Sequence, residues 1–488
     1  FPRAKELMET GYKRTLELMD SIKNRVSREV TPQEIARRRK AYKESLPPLI
    51  FRNIHITGVN EAQKAYIEAQ LHRDIYGEFT MEEFRRAYFK MLTYSKIKEI
   101  VPHAVYNRKE KKFDLYLDVK VKDEILVGFG GNISSHQANQ LFLGLGYQNI
   151  SSFSTDLNAN FQMGNSFDGI LLNSRFYLQT RIPAYINVEE VFSNKKYSEN
   201  QSLFYEDIVP SIIKQKELYT SLAFGFPFLN KAKSEIRFSY GQLNDYYFQT
   251  SSIPFPNASF DHSWYNTFAG SLKIEHNSLD FKQYPTSGRK QYVRAMYVRA
   301  SENYKPASIA YPLFDKTIHN WLQAKVHWQH YHVMSPAFNM GFLGELVVST
   351  KNLMNNYTAS ILQAPAFTPT PHSEIVFNEA FRANQYVAAG VSPIVKLSKM
   401  VHIRAGLFCF VPFSEIKKET RTEANKYVDI PYYGKFMSSL KYMGETAFVV
   451  QLPFATISIY ANGYSYPKKN FNFGLNIGYL IFNPKMLD

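Results

Sequence analysis

From residue 124 to residue 482 the chain is built of short runs in which apolar residues alternate with polar or small ones. In "QLFLGLGY", Leu141, Leu143, Leu145 and Tyr147 share one face, and Gln140, Phe142, Gly144 and Gly146 the other. "WLQAKVHWQHY" sets Leu322, Ala324, Val326 and Trp328 against Gln323, Lys325, His327 and Gln329. "VHIRAGLFCFV" sets Val401, Ile403, Ala405, Leu407, Cys409 and Val411 against His402, Arg404, Gly406, Phe408 and Phe410. Successive side chains of a strand point to opposite faces, so each run is a strand with one apolar side. Two folds use such strands in number. A soluble sandwich buries the apolar faces against each other, whereas a transmembrane barrel turns them to lipid and lines a wet lumen with the other face.

The connections discriminate. Sixteen strands fit the region at about 22 residues per strand and connection, which suits membrane-spanning strands. Connections after even strands are tight, at 149–153, 181–184, 230–233, 335–338 and 398–400, and those after odd strands are mostly long, at 196–214, 246–262, 301–317, 351–385 and 412–434. Short turns on one side and long loops on the other are the habit of outer-membrane barrels, and a sandwich has no reason for it. The expected fold is therefore mainly β. It is a 16-stranded antiparallel transmembrane β-barrel over 124–482, with a short extension at 483–488.

Composition narrows the rest. The 34 Tyr and 38 Phe suit strands and membrane interfaces, and no run of about 18 apolar residues is present to make a membrane-crossing helix. The single cysteine, Cys409, excludes an intramolecular disulfide and a cysteine-based zinc site. A formal charge of +15 calls for an anionic partner, nucleic acid or phospholipid headgroups. A nucleic-acid surface would gather aromatics with Lys and Arg on one face. Here the aromatics are spread through the strands, so lipid is the expected partner and nucleic acid is not.

Residues 1–46 have helical spacing, with Leu7, Leu16, Met19, Ile22 and Val26 at a rough 3.6 period. A second helix starts at Thr31-Pro32-Gln33-Glu34, a capping-box pattern, and carries Arg37, Arg38, Arg39 and Lys40. That run is either a solvated helix face or a contact with anionic headgroups. "LPP" at 46–48 ends the helix. Residues 49–123 form a β-α-α-β-β unit. "LIFRNIHITGV" is its first strand, helices follow at the caps Asn60 and Thr80, and a hairpin turns at "RKEKK". This order, with the "I.I.GV" spacing of the first strand, resembles a POTRA module, the periplasmic docking domain of the Omp85 superfamily.

Three motifs in the barrel carry the same resemblance. Asp280 followed by Tyr284-Pro285-Thr286-Ser287-Gly288 is a Pro/Gly hairpin turn with an upstream carboxylate able to accept backbone N–H bonds. It resembles the "D…(F/Y)PTxG" signature of Omp85 barrels, and parity places it on the periplasmic side. "FRANQY" closes the longest connection and resembles the (V/I)-R-G-(F/Y) motif of an Omp85 loop that folds back into the lumen. The resemblance implies that Arg382 is its arginine, with Phe381 before it, Ala383 in the glycine place and Tyr386 as a later aromatic. An arginine enclosed in a barrel needs a counter-ion or several acceptors. The family supplies an aspartate from strand thirteen; here that strand reads "GLFCFVPF", so Glu345 of strand eleven is the replacement candidate. The last strand, "FNFGLNIGYLI", fits the outer-membrane assembly signal at Asn472, Gly474, Ile477 and Tyr479, which implies recognition by the barrel assembly machinery.

No catalytic, cofactor or metal site is expected in this segment. It holds no G-x-S-x-G elbow, P-loop or dinucleotide fingerprint, and of His327, His330 and His332 only the last two share a strand face. The glycines of "GFGGN" at 128–132 serve strand packing or curvature. The opening "FPRAKELMETGY", lacking an initiator Met and a signal-peptide pattern, suggests a fragment of something longer. A helix, one POTRA and an Omp85 barrel together resemble the C-terminal part of patatin-like phospholipases of the PlpD type. That resemblance implies an upstream serine ester hydrolase in the periplasm, an outer-membrane location and a homodimer. The barrel would anchor or conduct for the enzyme, with Arg37–Lys40 near phospholipid. The competing expectation is a non-enzymatic Omp85 protein that inserts or exports polypeptides.

Overall fold

The computed structural model describes residues 3–26, 30–71, 79–92, 96–135, 138–151, 154–178, 184–198, 212–228, 231–247, 260–306, 316–423, 426–465 and 471–487. Much of the long connections 196–214, 246–262 and 301–317, and most of the tight one at 181–184, lie outside the described residues. The chain divides into two compact units, Phe1–Val121 and Lys122–Asp488.

The first unit opens with helices α1 (Ala4–Glu17), α2 (Met19–Arg25) and α3 (Pro32–Ser45), none of which buries a residue. Thr31 caps α3 by accepting from the Glu34 N–H at 3.2 Å. The reciprocal half of the expected box is replaced, because Glu34 pairs with Arg38 instead. Strand β1 (Ile50–Thr57), helix α4 (Glu61–Leu71), the two-residue β2 (Phe79–Thr80), helix α5 (Met81–Leu92), β3 (Ile97–Asn107) and β4 (Lys112–Val121) follow. Both helices start on reciprocal caps, Asn60 with Gln63 and Thr80 with Glu83. The sheet order is β2-β1-β4-β3, with β1 parallel to β4 and β3 antiparallel to it. The helices cover a core of Phe51, Ile67, Phe84, Met91, Leu115 and Leu117.

The second unit is a closed barrel of sixteen strands. These are β5 (Ile125–Ser134), β6 (Gln140–Ile150), β7 (Ser154–Gly164), β8 (Phe167–Leu178), β9 (Ala184–Ser198), β10 (Ile212–Phe228), β11 (Ala232–Tyr247) and β12 (Asp261–Asn277), then β13 (Gly288–Lys305), β14 (Thr317–Val333), β15 (Phe338–Ser349), β16 (Tyr386–Lys396), β17 (Val401–Pro412), β20 (Lys441–Gln451), β21 (Thr456–Tyr464) and β22 (Phe471–Gly478). Strands β18 (Ser414–Glu423) and β19 (Lys426–Phe436) form a separate hairpin between β17 and β20, which starts inside the expected loop 412–434 and runs two residues past it. Short connections also follow the first, third and fifteenth barrel strands, at 135–139, 165–166 and 465–470, so long connections follow odd strands only from the fifth to the thirteenth.

Facing follows the alternation. Leu141, Leu322, Leu407, Ile459 and Phe473 are exposed on the outside, while Arg404, Phe410, Thr456, Ser458 and Asn476 are buried within. An apolar exterior around a packed polar and aromatic interior is the barrel's arrangement and the reverse of a sandwich's. The wall is uneven. At a rise of about 3.4 Å per residue, β10 with its 17 residues is far longer than an apolar band of about 25 Å, whereas β22 has 8. Closure is uneven too. Strands β10 and β11 pair from Lys214↔Tyr246 to Phe228↔Ala232, but the β22–β5 ladder has three pairs, Asn476↔Ser134, Ile477↔Ile133 and Gly478↔Asn132, flanked by bonds of Leu475 with Ser135 and of Tyr479 with Gly131.

Candidate functional site

The lumen is occupied by three stretches of the chain's own backbone. The first is the connection 350–385. Thr350 follows β15 directly, and the loop folds into helices α6 (Tyr357–Leu362) and α7 (Pro371–Ile375) and a 3-10 turn at Glu379–Phe381. Asn356 caps α6 and Thr370 closes a capping box on α7, so both form locally. Met354, Ala359 and Leu362 pack against Tyr219, Tyr265, Met296 and Trp321 of the inner wall. Phe367, Phe381 and Tyr386 gather with Phe408, Phe410 and Tyr464, with Tyr386 and Phe410 centroids 4.8 Å apart.

Arg382 sits where the returning strand of this loop meets its outgoing part. Ala366 bridges Arg382, and the Phe367 N–H donates to the Phe381 carbonyl at 2.9 Å. The guanidinium is buried. Its Nη1 reaches three carbonyls at the end of α6, Leu362 at 3.1 Å, Ala364 at 3.4 Å and Ile361 at 3.5 Å, and its carbon lies 4.8 Å from the centroid of the Phe377 ring. A helix C-terminus carries unpaired carbonyls and partial negative charge, so several acceptors replace the missing acid. The expected pairing with Glu345 is not formed. Glu345 is held by Lys325 Nζ at 3.2 Å, by His327 Nδ1 at 2.8 Å and by the Tyr386 hydroxyl, which belong to β14 and to the start of β16. Glu345 thus fastens Tyr386, the aromatic at the start of β16, and leaves the arginine to the helix end. Ala383, in the glycine place, is fully buried and donates its N–H to the Pro365 carbonyl at 3.2 Å.

The second stretch is the turn 278–287, at the opposite end of the wall. Asp280 ties it shut. Its Oδ1 accepts the Thr286 N–H at 2.9 Å, and its Oδ2 accepts the hydroxyls of Thr286 at 2.7 Å and Ser287 at 3.1 Å. Gly288 has φ +93°, and a Cβ there would lie 2.1 Å from the Ser278 carbonyl. Tyr284, itself at φ +52°, is buried against Ala447, Val449 and Tyr460. Arg404 of β17 was not singled out from the sequence, although it lies in the inward set of that strand. It donates to the Pro285 carbonyl and to the Tyr331 hydroxyl, each at 3.2 Å, and stacks near Tyr284. Asn339 donates to the Thr286 carbonyl at 2.6 Å.

The third stretch, residues 479–487, leaves the end of β22 for the inner wall; its bonds to Gln140, Gln162 and Tyr219 are inward ones. Of the assembly-signal residues, Asn472, Gly474 and Ile477 lie in β22. Gly474 leaves room for the Tyr460 ring, whose hydroxyl a Cβ would approach to 2.2 Å. Tyr479 lies beyond the strand, because Gly478 turns the backbone at φ +117°. A cavity of about 290 Å³ remains between this stretch, the loop and β9–β10, with Lys195, Gln215, Ser373 and Arg382 on its walls.

Elsewhere the described side chains carry no assembled chemistry. His330 and His332 face outward beside Trp328, and His327 faces Glu345. Asp168 holds the Gly164 N–H and Lys196. Arg37, Arg38, Arg39 and Lys40 lie on the exposed α3; Arg38 and Lys40 pair with Glu34 and Glu44 along the helix, and Arg37 and Arg39 make no ion pair among the described residues.

No family model matches the chain, and no curated protein matches it. Solved structures do. BamA from Haemophilus ducreyi, in a form lacking POTRA domains 1–3, aligns with 88% of this chain and 84% of its own at 11% identity and TM-score 0.58. CdiB from Acinetobacter baumannii aligns with 88% of this chain and 74% of its own at 8% identity and TM-score 0.48. At 11% identity the likeness to BamA establishes a shared barrel fold.

Proposed function

We propose that this chain is an Omp85-type barrel of the bacterial outer membrane, its first unit a periplasmic POTRA domain, which anchors an upstream patatin-like lipid hydrolase. The observation that carries the anchoring role is the filled lumen. Loop 350–385, held by Arg382, and turn 278–287, held by Asp280 and Arg404, occupy the space an open conduit would need. Anchoring needs a firmly assembled barrel and no passage. The exposed α3, whose Arg37 and Arg39 make no ion pair among the described residues, offers cationic groups to anionic headgroups. In this reading the protein depends on the barrel assembly machinery and pairs as a homodimer.

The test uses outer membranes from cells expressing the whole gene product. A fluorophosphonate probe, which labels activated serines, is expected to mark a polypeptide that migrates with the barrel and to abolish its release of fatty acids from phospholipid. Membranes that neither label nor hydrolyse phospholipid would sink the hydrolase.

A second reading, insertion or export of other polypeptides, is favoured by one observation, the three-pair junction of β22 with β5. An engineered disulfide between positions 134 and 476 separates the two readings. It blocks client assembly if the junction must part, and leaves lipid hydrolysis untouched if the barrel only anchors.

A further inference from the structure

Strand β22 stops pairing at Gly478, where a Cβ would lie 2.1 Å from the Gly131 carbonyl. Gly131, at φ +147°, has the Gln140 carbonyl in the corresponding place at 2.0 Å. Gly478 therefore permits a close approach across the junction and Gly131 one to β6, and the chain turns inward after the Tyr479 N–H donates to the Gly131 carbonyl at 2.8 Å.

From there the segment is bound as a peptide ligand is bound. Gln140 of β6 brackets Ile481 as a strand partner would, its Nε2 donating to the Ile481 carbonyl at 2.6 Å and its Oε1 accepting the Ile481 N–H at 3.1 Å. Asn483 is buried. Its Nδ2 donates to the carbonyls of Ile170 at 3.2 Å and Phe192 at 3.0 Å, and its Oδ1 accepts from Gln162 Nε2 at 3.1 Å. One asparagine thereby joins β7, β8 and β9. The Tyr219 hydroxyl donates to the Pro484 carbonyl at 2.7 Å, and Glu217 accepts the Met486 N–H at 3.2 Å, both from β10. Met486 enters the apolar cluster of Tyr219, Leu243 and Trp321, and Phe482 packs edge-on against Phe167 at 5.2 Å. Backbone groups are met by fixed side chains and side chains by wall carbonyls, which selects for sequence as well as for shape.

We propose that the inner wall of β6–β10 is a peptide-binding track, that residues 479–487 are its resident ligand, and that their seating holds the short β22–β5 junction closed. The ligand class is an extended polypeptide with asparagine before proline. A segment leaving β22 and fastened to the five strands β6–β10 on the far side of β5 spans the junction from within, supplying attachment that three ladder pairs do not. The proposal rests on the barrel and not on the nature of any upstream enzyme.

The test measures ion conductance of the full chain in planar bilayers, with heat-modifiable migration reporting the folded barrel independently. Asn483→Ala, a single side-chain change that keeps the segment, is expected to raise open probability at least tenfold. Removal of residues 483 onward should raise it further, and a peptide of residues 479–487 added to that variant should restore the closed level. The same peptide with its asparagine replaced by alanine should not. In a Cys409→Ser background, oxidised S134C/N476C should close the shortened protein without peptide. The proposal is overturned if the shortened, folded barrel is as closed as the intact one, or if both peptides restore closure equally. It is also overturned if the oxidised pair leaves conductance high, for then the segment fills the lumen without holding the junction.

Discussion

Arg382 is fastened by carbonyl oxygens and a ring, with no ion pair among the described residues. Charged donors on neutral acceptors are worth about 1.5–3 kcal/mol, and a lost partner leaves buried carbonyls unmet. Arg382→Ala is therefore expected to free loop 350–385 at a cost of about 1–3 kcal/mol, seen as faster cleavage of the loop by added protease and a lower unfolding temperature. Arg382→Lys should recover only part of this, because an ammonium lacks the planar fork. Unchanged protease resistance in the alanine variant would show that the aromatic cluster holds the loop alone. Gly288 makes a sharper case. Its φ of +93° and the Ser278 carbonyl 2.1 Å from a Cβ leave no room for a side chain. Gly288→Ala should reduce the heat-modifiable, folded fraction severalfold, whereas Ser287→Ala, losing one hydroxyl bond to Asp280, should be mild. Equal folding of the two would remove the steric account. The arginine and the glycine were both legible as motif positions. Arg382's acceptors were not, since they lie about twenty residues back along a loop whose helix is only assembled against the wall.

At the scale of elements, the outward faces carry the membrane contact. Leu222, midway along β10, is 52% exposed on that face. Leu222→Arg should cost about 2–4 kcal/mol if it lies near the bilayer midplane and sharply lower the yield of folded barrel, while Leu222→Phe is tolerated. An arginine variant that folds as well as the parent would mean that this level of β10 lies outside the apolar band. The strands themselves were legible, because period-two alternation is local and survives any register. The hairpin β18–β19 was not. Its first strand, "SEIKKETRTE", is charged and lacks an apolar face, and its second, "KYVDIPYYGKF", alternates around an internal proline, so the pair leaves little pattern to read inside a long loop. The helices of loop 350–385 escaped for a related reason. Five- and six-residue helices depend on caps and tertiary contact more than on periodicity.

For the whole molecule, the filled lumen makes a conductance prediction separate from the junction. Replacing residues 355–381 by a short Gly/Ser linker should turn a nearly silent barrel into an open pore. Bilayer recordings check this, and a silent variant that still shows heat-modifiable migration would place the block in turn 278–287 and segment 479–487. The charge of +15 also finds its place only at this scale. Within the lumen some cations are matched by acids, as in Arg237 with Glu189 and Glu235 and Lys325 with Glu345, while Arg382 and Arg404 rest on carbonyls. Part of the excess lies on exposed surfaces such as α3.

The amino-acid sequence by itself determined that the chain makes sixteen alternating strands, which face of each meets lipid, and that a carboxylate-tied Pro/Gly turn lies between the eighth and ninth. Those features depend on neighbours within a few residues, where backbone periodicity and turn geometry are decisive. Tertiary structure alone decided the acceptors of Arg382, the shortness of the closing ladder and the inward path beyond Gly478. Each of these joins residues far apart in the chain, Asn483 to Phe192 and Arg404 to Pro285 among them, and becomes definite only when closure sets the register of the wall.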